Sequence, residues 1–168
     1  MQSLLKCGGL AALLLSCAAA HLPTHADEAL AGLDAAQRRA VQKFLAKQRD
    51  PEEPRARPWV EQARPVDLDA DGRPEILLLW SKPYGNSLST SLSLLAPAPQ
   101  GTGRPGWRLA GSQRVRGINP VLTLAPPLVR IDSAVEKPGD PRCCPSGKIT
   151  QQLRLSAGRL QEMALSSP

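Results

Sequence analysis

The segment that decides the fold runs from residue 66 to residue 80 and reads VDLDADGRPEILLLW. Its first half alternates acidic residues and closes them with a glycine. Its second half is the most hydrophobic stretch that follows the first 26 residues. An apolar run without polar alternation is typical of a strand that is covered on both faces. The segment therefore predicts a polar loop that leads directly into a buried strand.

The acidic half of this segment has the pattern of a cation loop. Asp67, Asp69 and Asp71 occupy alternate positions and Gly72 follows, as in the first half of an EF-hand calcium loop. Alternate residues of a tight loop point toward one centre, and the glycine permits the backbone reversal. Hard oxygen ligands on a flexible loop suit Ca²⁺ better than Mg²⁺. The alternative is a polar turn in which the aspartates form Asx-turns.

The loop departs from an EF-hand after the glycine, because Leu78 stands where the bidentate glutamate is expected. Asp-x-Asp-x-Asp-Gly-x-x-Glu before a strand resembles the calcium loops of FG-GAP and similar β-repeat domains. The resemblance covers the loop alone, and its single copy excludes a propeller built from such repeats. It implies these ligands: the side chains of Asp67, Asp69, Asp71 and Glu75 and the carbonyl of Arg73.

The first 26 residues have the order of a secretory signal. Lys6 precedes an apolar run too short to span a bilayer, and Pro23 and the small residue Ala26 follow it. The pattern predicts a signal peptide at residues 1–26 and a single mature domain at 27–168. The mature protein would be periplasmic or secreted.

A second processing signal overlaps the first. Residues 14–17, Leu-Leu-Ser-Cys, resemble a bacterial lipobox, which would end a lipoprotein signal at residue 16 and leave Cys17 lipidated. The protein would then be an outer-membrane lipoprotein, with the lipid on Cys17 as its contact with the membrane. Both alternatives place the chain outside the cytoplasm.

The chain is basic, with 21 Lys and Arg against 15 Asp and Glu and a net charge of +6. The excess lies in the second half of the sequence, and it favours an envelope partner or an anionic surface. Nucleic acid is not expected, because the chain has export signals and its few aromatic residues are scattered singly. We expect a monomer.

A helix is predicted over residues 34–48, where Asp34 and Gln37 form a capping-box pattern. Its apolar stripe, centred on Val41 and Phe44, is narrow, so it is expected to pack on one face of a sheet. A proline-rich linker follows at residues 50–58.

Residues 59–165 have β patterns throughout. Leucines and serines alternate over residues 87–95, which predicts a half-buried antiparallel strand. Six or seven short strands after one helix predict an α+β domain, with the N-terminal helix packed on a mainly antiparallel β-sheet. A small β-sandwich or barrel is the alternative.

Two adjacent cysteines, Cys143 and Cys144, lie in the segment DPRCCPSG at residues 140–147. Exported thiols usually pair, and neighbours in sequence pair through a strained ring that is easily reduced. Three interpretations are open: a vicinal disulfide, two thiols that bind a soft metal, and a redox centre. The stretch Asp-Pro-x-Cys-Cys-Pro-Ser before an alternating strand and a hairpin resembles the C-terminal part of LppP/LprE-type bacterial lipoproteins, loosely over residues 65–165. That resemblance implies no activity.

An enzyme is not expected. Both histidines, His21 and His25, lie in the predicted leader, which excludes Ser-His and Cys-His nucleophiles and histidine-ligated zinc from the mature chain. The sequence therefore predicts a non-catalytic exported cell-envelope protein, a binding or structural module with a cation loop. The alternative is a redox or metal-handling protein centred on Cys143 and Cys144.

Overall fold

The computed structural model describes residues 28–99, 106–141 and 143–164. In this part of the chain a helix, α1, precedes eight strands. Their bounds are Ala35–Ala46 for α1, Trp59–Val66 for β1, Glu75–Tyr84 for β2, Ser87–Pro97 for β3, Trp107–Arg114 for β4, Ile118–Ala125 for β5, Leu128–Val135 for β6, Gly147–Ser156 for β7 and Arg159–Met163 for β8.

The strands form two four-stranded antiparallel sheets. The first has the order β1-β2-β3-β4 and the second the order β5-β6-β7-β8, so each strand pairs with its neighbours in sequence. The expectation of a mainly antiparallel β domain after one helix is confirmed. The prediction of a single sheet of six or seven strands is wrong. The eight strands divide into two sheets, as in the β-sandwich alternative.

Strand β2 lies at the centre of the structure and is covered on both faces, as its unbroken apolar run predicts. Side chains alternate between the two faces of a strand. Leu77 and Leu79 belong to the cluster shared with the second sheet, whereas Ile76, Leu78 and Trp80 belong to the cluster shared with the helix. All five side chains are buried.

The core between the two sheets contains aliphatic side chains from both. Strands that face a common core turn every second residue toward it. The members that are 0% exposed are Leu92 and Leu94 from the first sheet and Val129, Ile131 and Leu153 from the second.

Helix α1 covers part of the outer face of the first sheet. Asp34 caps it: the Asp34 carboxylate accepts from the amides of Ala36 and Gln37, and the Gln37 side chain accepts from the Asp34 amide, which confirms the predicted capping box. Phe44 packs edge-on against Trp80, with ring centroids 5.7 Å apart.

Strand β3 differs from its prediction in two ways. The alternation over residues 87–95 predicts Leu88 on the buried face, but Leu88 is 59% exposed. It predicts Ser93 on the polar face, but Ser93 is fully buried. The Ser93 hydroxyl accepts from the indole nitrogen of Trp80 at 2.9 Å and is hydrogen-bonded to the hydroxyl of Ser112 at 2.8 Å. These bonds satisfy the Ser93 hydroxyl and allow it to be buried, although the alternation alone predicts that it is exposed to solvent.

Strands β4 and β8 bring the two sheets together at one side. Gly111 of β4 permits the close approach, since a Cβ atom there would lie 2.8 Å from Cβ of Leu160. Gln151, which is buried, joins the sheets with side-chain bonds to the carbonyl of Arg114 and the amide of Arg116.

Candidate functional site

The acidic loop connects β1 to β2 at one end of the first sheet. Leu68 lies between the first two aspartates and is only 3% exposed, because it belongs to the core between the sheets. Asp69 and Asp71 are exposed and Asp67 is half-buried. The alternating sequence therefore buries the Leu68 side chain in the core and directs the three neighbouring carboxylates toward the surface.

The structure brings these three carboxylates together. One oxygen from each of Asp67, Asp69 and Asp71 lies within 4.8 Å of the others. Hard cations such as Ca²⁺ bind carboxylate oxygens at about 2.3–2.6 Å, so oxygens at this mutual distance can share one ion. Among the described residues this is the one group of three or more potential metal ligands.

Backbone amides hold the loop in this shape. The Asp67 carboxylate accepts from the amides of Asp71 at 3.2 Å and Gly72 at 3.0 Å. The Asp71 carboxylate accepts from the Arg73 amide at 2.7 Å. Gly72 has φ +78°, as predicted for the reversal. These are the Asx-type bonds of the polar-turn alternative, and they leave further lone pairs on each carboxylate.

Glu75, the fourth predicted carboxylate ligand, takes a different place. It is 2% exposed, and its carboxylate accepts from the Leu68 amide at 2.9 Å. Burial raises the pKa of Glu75 above its ordinary value, and the nearby charges of Asp69 and Asp67 raise it further, against the lowering effect of the Leu68 amide. Its carboxylate therefore fixes the base of the loop.

The Arg73 carbonyl, the fifth predicted ligand, belongs to the same loop, but the Arg73 side chain reaches away and donates to the carbonyl of Ala98 at 2.9 Å. Across the residues that the structure describes, the ion pairs are Arg116 with Glu162 and Arg130 with Asp132. The three carboxylates of the loop are thus close together without an ion pair to a basic side chain.

The adjacent cysteines lie in the loop between β6 and β7, and both are exposed, free thiols in the structure. Their Sγ atoms lie 2.7 Å apart. The hydrogen bond to Cys143 raises the pKa of the Cys144 thiol above its ordinary value.

Asp140 organises the cysteine loop, a role that sequence reasoning missed. Its carboxylate accepts from the amides of Lys137 at 2.8 Å and Ser146 at 2.7 Å and from the Ser146 hydroxyl at 2.9 Å. The Ser146 amide and then the Lys137 amide lower the pKa of Asp140. An aspartate before proline, with a serine six residues on, was the available signal, since Asp side chains commonly bond nearby backbone amides.

No protein-family model, curated protein or solved structure matches the chain. The resemblances to FG-GAP loops and to LppP/LprE-type lipoproteins therefore stay predictions.

Some predicted features lie outside the described residues. They are the signal peptide, Cys17 of the alternative lipobox, and both histidines. Within the described ranges, the structure contains no helix with the length and hydrophobicity needed to cross a membrane.

Proposed function

We propose that this protein is an exported, non-catalytic module of the cell envelope, with a binding or structural role, whose acidic loop holds Ca²⁺. The observation that carries the proposal is the group of three carboxylates within 4.8 Å of one another, without an ion pair to a described basic residue. Like charges this close repel one another, and a bound cation would neutralise that repulsion.

Export is inferred from the sequence of the first 26 residues, and the envelope location follows from it. The lack of catalysis is inferred from the confinement of histidine to positions 21 and 25. A calcium site that stiffens the loop between β1 and β2 suits a module that presents surfaces to a partner, because it orders the chain at the end of the sheet.

Calcium should bind weakly. Three side-chain ligands without the bidentate glutamate of an EF-hand place the site in the range of extracellular modules, with Kd about 10⁻⁴–10⁻³ M. At a calcium concentration about 10–100 times Kd, mass action stabilises the folded state by about 1.4–2.7 kcal/mol. This corresponds to a rise in Tm of several degrees, at about 2–4 °C per kcal/mol for a chain of this size.

The test compares thermal unfolding and calorimetric titration for matched variants. Asp69→Asn with Asp71→Asn removes two charges but retains side-chain oxygens that can accept the amide bonds of the loop. Glu52→Gln with Glu53→Gln removes two exposed carboxylates from the linker as the control. We expect Ca²⁺ to raise the Tm of the parent and of the control, and to leave the Tm of the aspartate variant unchanged. An equal shift in all three, or no shift and no heat in the parent, would refute the proposal.

A second candidate function is a redox or metal-handling protein centred on Cys143 and Cys144. The favouring observation is the 2.7 Å separation of two exposed Sγ atoms in a loop that Asp140 holds in place. Two adjacent thiols can form a disulfide by releasing two protons and two electrons to a disulfide-bearing partner. They supply two soft ligands, fewer than a structural zinc site requires.

A further inference from the structure

A groove lies between helix α1 and the start of β4, on the face of the first sheet away from the second. Its volume is about 660 Å³, within the range of ligand sites in proteins. Phe44, Leu95 and Trp107 contribute apolar surface, and the small side chains Ala36 and Ala40 on the helix leave room above them. Leu109, which is 50% exposed, adds apolar surface on the strand side.

The helix side of the groove carries a row of cations. Arg39, Lys43 and Lys47 lie four residues apart, and all three are exposed and line the groove. Among the described residues that line the groove there is no carboxylate. Within the described part of the chain, none of the three cations forms an ion pair.

The fold itself does not account for this row. Like charges four residues apart destabilise a helix, and α1 contains no acidic residue that would offset them. The helix dipole favours cations near the C-terminus of a helix, which explains Lys43 in the last turn and Lys47 at the C-cap. It does not explain Arg39, which lies in the first half of the helix. A ligand that is negatively charged along its length would neutralise all three.

We propose that the groove binds an extended segment of a partner protein in which carboxylates alternate with apolar side chains. Cations four residues apart on a helix are separated by about 6 Å along its axis. Alternate side chains of an extended peptide are separated by about 6.6 Å. Carboxylates on one side of such a segment would follow the cation row, and apolar side chains on the other would contact Phe44 and Trp107. A single lipid headgroup would use only part of the row.

This docking site is independent of the acidic loop. Its test is run in EDTA, which removes Ca²⁺, so the peptide result does not depend on whether the acidic loop binds calcium. The probe is a fluorescein-labelled heptapeptide of alternating leucine and glutamate, measured by fluorescence anisotropy with the full chain. We expect saturable binding that weakens as salt is added. The same peptide with glutamine in place of glutamate should bind far less.

Matched charge variants locate the binding. Arg39→Gln, Lys43→Gln and Lys47→Gln together should weaken binding about tenfold, the combined effect of three exposed charge pairs. Lys137→Gln, Arg154→Gln and Arg159→Gln remove the same charge from exposed positions outside the groove and should bind as the parent does.

A floor variant tests the apolar half of the proposal. Leu109→Gln changes a half-exposed side chain, so the fold should persist, as circular dichroism can verify, while peptide affinity falls. Equal binding by the parent and the groove triple variant would overturn the proposal, as would equal losses in the groove and control triple variants. Binding of phosphatidylglycerol vesicles without binding of the peptide would also overturn it, in favour of a lipid surface.

Discussion

Replacement of Phe44 by alanine tests whether the helix is an integral part of the fold. Phe44 is 8% exposed and its ring meets Trp80 edge-on at 5.7 Å, so the change removes the main aromatic contact between α1 and the first sheet. Truncation of a buried phenylalanine typically costs about 3–5 kcal/mol. The lost ring pair accounts for about 0.5–1.5 kcal/mol of this. The loss is a large fraction of the 5–15 kcal/mol that typically stabilises a domain.

The matched control is Tyr84→Ala. Tyr84 is an aromatic residue at the end of β2 with 66% of its surface exposed, so its truncation should change the free energy of unfolding by less than about 0.5 kcal/mol. Urea unfolding followed by circular dichroism gives both values. At about 2–4 °C per kcal/mol, Phe44→Ala should also lower Tm by on the order of ten degrees.

Tryptophan emission adds a local readout of the same contact. Removal of the Phe44 ring uncovers part of Trp80, so the emission of the folded variant should shift to longer wavelength, whereas that of Tyr84→Ala should not. If the two variants unfold at the same urea concentration, the helix does not pack on the first sheet through Phe44 and Trp80 as the structure shows.

Two further predictions concern the acidic loop and the cysteines. Burial raises the pKa of Glu75 in the folded state, so this carboxyl contributes stability at low pH that is lost as pH rises from the unfolded value near 4.5 through the folded one. Glu75→Gln should therefore gain stability relative to the parent as pH rises from 4 to 7, as urea unfolding can measure. If the difference in unfolding free energy between variant and parent does not change with pH, the pKa of Glu75 is not raised in the folded state. Cys143 and Cys144 should be joined in protein isolated from the envelope, with a mass two hydrogens below that of the reduced monomer; the bond closes almost no loop, so its loss should hardly alter Tm. Two alkylatable thiols or a disulfide-linked dimer would favour the redox or metal alternative. The same mass measurement tests export, because a chain that still begins at Met1 would contradict it.

Local structure could be predicted well from the sequence. The cap at Asp34 and the buried strand after Gly72 follow from short-range patterns, and the structure has both. The division into two sheets could not be predicted, because alternation shows which side chains are buried but not which sheet they face. Ser93 shows a second limit, since its burial depends on partners in other parts of the chain.

The candidate site was predicted in part. The loop pattern identified Asp67, Asp69 and Asp71, whose carboxylates the structure brings together. It could not show that the Glu75 carboxylate accepts from the Leu68 amide, because that bond depends on how the loop folds back on the first residue of β2. The groove beside α1 combines residues from three elements, so no short pattern contains it.

The order of the strands has a consequence for how the chain folds. Every hydrogen-bonded strand pair joins neighbours in sequence, so each sheet can grow hairpin by hairpin. A pairing between sequence neighbours closes a smaller loop than a pairing between distant strands, and a smaller loop costs less entropy. The long-range step is the docking of the two sheets, and Gly111 of β4 lies where β8 contacts that strand. A larger residue at Gly111 should therefore leave hairpin formation intact and slow the final association of the two halves.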